Sequence, residues 1–185
     1  MKKRSPLLWS LALLAIPGAI AMDANVLHNH PVETTLVNTV REATQPYRAL
    51  DAAEAAGYGL FHGCASSPTE GAMGVHFVNG DLVSDGNLDA TKPEALLYEY
   101  RNGKPQLVGV EYVVIAEAWD ANNDMPPVLM GQLFNFVSSP NRYGIPAFYE
   151  LHVWAWKPNP LGTFADWNPR VSCDTFTLET DAAPG

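Results

Sequence analysis

From Leu107 to Ile115 every position is apolar or aromatic except Glu111, and that lone carboxylate constrains the fold more than any other residue. Valine, isoleucine and tyrosine at this density predict a β-strand. Alternation puts Leu107, Gly109, Val113 and Ile115 on the Glu111 face and Val108, Val110, Tyr112 and Val114 on the other. Neither face then suits water. A carboxylate in such a strand needs a hydrogen bond, an ion partner, a proton or a cation, because burying it bare costs several kcal/mol.

A second strand repeats the pattern. In Phe148 to Trp156, period-2 geometry places Glu150, His152, Trp154 and Trp156 on one face. A third polar residue, His76, sits in Gly-Val-His-Phe-Val. If these strands are neighbours with converging polar faces, His76, Glu111, Glu150 and His152 meet inside the sheet. Two imidazoles with carboxylates suit one divalent transition metal (zinc, iron, manganese or copper), with Glu150 as fourth ligand or supporting base. The structural alternative has His152 donating to a backbone carbonyl, Glu111 paired with Arg142 or Arg170, and His76 ending a hydrogen-bond network. No His-Glu-x-x-His, strand His-x-His or Cys-x-x-Cys is present, so spacing does not set a ligand geometry.

A second class of function is noncatalytic binding, in which Tyr112, Phe134, Trp154 and Trp156 line a pocket for a small apolar molecule or a sugar. A structural role in the cell envelope is the third. Hydrolase signatures are lacking: there is no Gly-x-Ser-x-Gly elbow, and Ser66-Ser67 has no spaced base. Asp120, Asn122 and Asp124 have calcium-like spacing, but Met125-Pro126-Pro127 replaces the glycine turn of an EF-hand, so a solvated turn is expected. His28 and His30 could add a terminal metal contact, and His62 reads as a loop residue near Cys64.

The remaining elements predict an α+β fold. Apolar positions at Leu36, Val37, Val40, Ala43, Tyr47 and Leu50 mark an amphipathic helix that Pro46 breaks into about 32–44 and 46–56, with Gly57 as its stop. Strands are expected at about 73–79, 95–100, 106–116, 129–137 and 147–156, and Asn102-Gly103 marks a hairpin. Residues 121–127 and 157–170 read as loops. The helix or helix pair would pack on an antiparallel, barrel-like sheet.

The N-terminus has the layout of a secretory signal peptide over residues 1–21: Lys2, Lys3 and Arg4, an apolar run, then Ala19-Ile20-Ala21. A flexible stretch 22–30, one domain over 31–178 and a flexible tail 179–185 would follow. Losing three positive charges and no acids takes the formal charge from −9 to −12, which argues against nucleic acid as a partner. The partner expected is a small molecule or metal ion, with no membrane span once the leader is cleaved and the protein in the periplasm or outside the cell. In an oxidising compartment Cys64 and Cys173 predict one disulfide, tying the end of the helical region to the C-terminal segment.

Several phrases resemble a family of exported bacterial proteins without an established activity: Ala52 to Tyr58, Met73 to Asn79, Val108 to Tyr112, and Glu150 to Cys173 with its Asn159-Pro160-Leu161-Gly162 and Trp167-Asn168-Pro169-Arg170. The resemblance implies an exported origin and carries over no catalytic residue. The ligand spacings of cupins and cupredoxins are not reproduced.

Overall fold

The computed structural model describes residues 35–177. The expected leader, His28, His30 and the last residues lie outside them. The described residues begin in a helix, α1, over 35–44, pass through a 3-10 turn at Gln45–Arg48 and enter α2, Leu50–Ala55. Pro46 sits in the first turn of the 3-10 segment, where its missing N–H costs nothing. Gly57, at φ 93°, ends the helical region.

The strands are β1 (Gly59–Ser67), β2 (Gly71–Val78), β3 (Ala95–Arg101), β4 (Lys104–Ile115), the short β5 (Val128–Leu129), β6 (Gln132–Leu133) and β7 (Asn135–Val137), and β8 (Phe148–Val153). Helix α3, Gly80–Asp85, is capped by the Asn79 side chain, and α4 is Ala116–Asp120. Six strands form one curled antiparallel sheet in the order β1-β2-β3-β4-β8-β7, and β5 pairs with β6 apart from it. The result is a half-barrel with helices packed on it, in line with the α+β expectation. Asn102 and Gly103, both at positive φ, turn β3 into β4 with Arg101 opposite Lys104.

The two sheet faces differ in what covers them. Val75, Phe77, Leu96, Tyr98, Val110, Tyr112, Val114, Leu151 and Val153 form the main core with Leu36, Val40 and Ala53 of the helices. The other face carries His76, Glu111, Glu150 and His152, beside a smaller core of Ala72, Leu97, Val108, Trp154 and Val171.

Four expectations about the strands need correction. The strand expected at about 129–137 is three short ones, of which only β7 joins the main sheet. β1 is a strand, not the end of the helical region, so the Cys64–Cys173 disulfide joins a sheet edge to the C-terminal segment. Its sequence hides this, because β1 has three register irregularities and an exposed Leu60-Phe61 instead of clean alternation. In β4 a register shift at Leu97/Tyr98 reverses the parity: Leu107 joins the helix-side core and Val108 the opposite one. After Val153 the alternation also ends. Ala155 N–H donates to Val153 O at 2.9 Å, and this tight turn sends Trp154 into the small core and Trp156 toward the main one.

Candidate metal centre

Strand pairing assembles the polar cluster. Glu111 of β4 stands opposite His152 of β8, with Val113 opposite Glu150. His76 arrives from β2, two strands away, across Leu97 and Gly109 of the intervening register. Its Nε2 lies 3.4 Å from Glu111 Oε2. His76, Glu111 and His152 each offer one ligand atom such that all three lie within 4.8 Å of one another. A second set with the same bound joins Glu150, His152 and Asp166. His152 belongs to both.

The group is shut away from water: His76 is 3 %, Glu111 4 %, Glu150 3 % and His152 0 % exposed. Among the described residues no lysine or arginine forms an ion pair with these carboxylates. Arg142, an expected partner of Glu111, is exposed instead, donating to Ser66 O and lying over the Trp167 ring. No ion pair of Arg170 with Glu111 forms either. Both nitrogens of His76 and both of His152 lack a hydrogen bond of normal geometry, as does Glu150 Oε2. Buried polar atoms are normally paired, and a neutral imidazole must place an N–H somewhere.

Electrostatics follow from this burial. Burial pushes His76 down to about 3, with further lowering from His152 and His62 and a weaker opposing effect of the Gly74 backbone. Burial alone takes His152 to about 3. Glu111 is raised well above the usual carboxyl range, by burial first and then by Glu150, with which it shares a hydrogen bond. Burial lifts Glu150 to about 7. Without a cation the cluster thus holds neutral imidazoles and at least one protonated carboxyl. A metal keeps the imidazoles neutral and reverses the carboxyl preference, since it binds neutral imidazole and ionised carboxylate.

Sequence reasoning missed two residues here and misplaced a third. Asp166, half-buried in the loop after β8, places Oδ1 3.7 Å from His152 Nδ1 and accepts a 3.0 Å hydrogen bond from Asn135 Nδ2. It sits among Pro, Asn and Gly residues with no periodicity to signal it. Tyr143 packs against His62, His76 and Phe148 and donates to Met73 Sδ at 3.2 Å, closing the cluster from above. His62 is a strand residue paired in register with His76, not a loop residue.

The expected aromatic pocket residues lie elsewhere. Tyr112 is in the helix-side core and donates to Ala90 O, and Phe134 is buried in the same core. Trp154 stacks on His152 and donates to Ala165 O, while Trp156 donates to Thr44 Oγ1 beneath Arg48. A cavity of about 250 Å³ does adjoin the cluster, and its walls contain none of these four residues. His76 and Glu111 are at its inner end. The Asp120 to Asp124 turn is exposed at its acids and braced by Trp119 Nε1 donating to Met125 O.

Among the described residues no helix is long and apolar enough to cross a membrane. No protein-family model, curated protein or solved structure matches the chain. Its own geometry must carry the functional reading.

Proposed function

We propose that this is an exported protein that binds one divalent transition metal through His76, Glu111 and His152. The observation that carries the reading is the pair of buried imidazoles whose nitrogens make no hydrogen bond of normal geometry, within ligand reach of a buried carboxylate. A metal resolves two costs together: it accepts imidazole lone pairs and neutralises the buried carboxylates.

The two ligand sets, one richer in nitrogen and one in oxygen, divide naturally around His152. With Nδ1 directed at Asp166, its other nitrogen is the one left for the metal. Asp166 then orients the ring, the arrangement by which carboxylates raise the basicity of ligating histidines. Glu150, hydrogen-bonded to Glu111, serves as fourth ligand or as a base beside the site. Two histidines and one carboxylate leave coordination positions open, which suits zinc or a redox metal such as iron, manganese or copper. Such a metal would polarise a bound water or small ligand.

Export fits the disulfide joining Cys64 to Cys173, since such bonds persist in oxidising compartments. Cobalt(II) titration tests the metal reading: visible absorption bands saturating at one equivalent are expected in the wild type and absent in His152→Ala. A wild-type spectrum identical to that of free aqueous cobalt would sink it.

A further inference from the structure

The cavity beside the cluster differs sharply in character from the cluster itself. Its walls come from β1, β2, α3, β4, β8 and the loop before β8, and include Val78, Val83, Val113, Ile115, Ile145 and Phe148. Phe61, Gly80 and Pro146, which also line it, are exposed and mark the mouth between β1, the start of α3 and the loop before β8. At the opposite, buried end stand His76 and Glu111. The one hydroxyl in the wall, Tyr143 Oη, already donates to Met73 Sδ.

We propose that this cavity takes a small, mostly apolar molecule bearing a single oxygen-donor head group, such as a medium-chain aliphatic carboxylate, with the head at His76 and Glu111 and the tail toward Phe61. The inference rests on the metal reading above, because the metal is what receives the head group. Hydrocarbon walls favour a tail, since each buried methylene is worth roughly a fourfold gain in affinity. They disfavour a sugar, whose hydroxyls would leave water and find no partners. The volume of about 250 Å³ accommodates on the order of eight to ten heavy atoms, taking about 30 Å³ for a water-sized unit. Chain length is therefore what the cavity measures.

The test is calorimetric titration of zinc-loaded protein with acetate, butyrate, hexanoate, octanoate and glucose, with zinc content read by elemental analysis on the same samples. The account expects affinity to climb about fourfold per methylene to hexanoate or octanoate and then level off, with glucose inert. Val83→Trp, which narrows the cavity without touching the polar end, should weaken hexanoate at least tenfold and leave acetate and zinc unchanged. Ile145→Trp, from the loop before β8, should do the same. Bound zinc with affinity flat along the series, or tail-length dependence unaltered in both tryptophan variants, overturns this inference alone. Failure of the wild-type protein to take up zinc, iron, manganese or copper on reconstitution overturns it together with the metal reading.

Discussion

Glu111 and His152 face each other across the β4–β8 pairing, and this cross-strand contact joins the inner end of the cavity to the loop carrying Asp166. One carboxylate is thereby shared between a histidine on its own ladder and His76 two strands away, 3.4 Å distant. Sheet register, not local sequence spacing, builds the site.

Asp166→Asn tests the supporting shell. Loss of the carboxylate opposite His152 Nδ1 should weaken metal binding by about 10–100-fold without abolishing it, because the three ligands remain. Competition against a chelator of known affinity measures this. Affinity equal to that of the wild type would remove Asp166 from the account.

Glu94 provides a pH signature independent of the metal. It is buried, accepts a hydrogen bond from Val113 N–H at 3.0 Å, and is raised by burial to about 8. The folded state therefore holds this proton more tightly than the unfolded chain. Stability from Glu94 is full below about pH 4.5 and declines as pH climbs toward 8, since the native state binds the extra proton throughout that window. Glu94→Gln keeps the acceptor and should flatten this decline, leaving the variant more stable than wild type at pH 8 and similar at pH 4.5. Urea melts across the range would show it, and parallel pH profiles would refute it.

How much of this was legible differs residue by residue. His76, Glu111, Glu150 and His152 stood out because each interrupts an apolar strand, and period 2 alone assigns them a face. Glu94 did not, since it follows Lys92-Pro93 at a strand start where no alternation has begun. The faces of Leu107, Val108 and Trp156 were misread for a common reason: a bulge or a tight turn shifts parity by one. Such shifts depend on partner strands, and a single strand's sequence does not carry them.

Gly71 shows how the C-terminal loop is held to the sheet. At φ 97° it lies against the Asn168 backbone, and a Cβ there would come within 2.3 Å of Asn168 O. The adjacent Ala72 exchanges hydrogen bonds with Asn168 in both directions. Gly71→Ala should cost about 2–3 kcal/mol from backbone strain and displaced contacts, and should weaken metal binding by moving the loop that carries Asp166. Thermal melts with and without zinc separate the two effects; an unchanged melting temperature would contradict the packing described.

The disulfide and Glu99 secure the same C-terminal segment. Buried Glu99 receives Lys157 Nζ at 2.5 Å, Arg101 Nε at 2.8 Å and Ser172 N–H at 3.0 Å, next to Cys173. The Cys64–Cys173 bridge spans 109 residues of sequence, for which chain entropy gives about 4–5 kcal/mol. The Cys64→Ser, Cys173→Ser double variant should lose most of that in denaturant unfolding. A loss under about 1 kcal/mol would mean the Glu99 contacts hold the segment without the bridge.

The central claim is best tested by elemental mass spectrometry on protein purified without a metal-affinity tag, beside folded His76→Ala and His152→Ala variants. The account predicts close to one equivalent of a single transition metal in the wild type and little in either variant. Metal-free wild type that also fails to take up zinc, iron, manganese or copper on reconstitution would contradict it and leave the cluster a buried structural network.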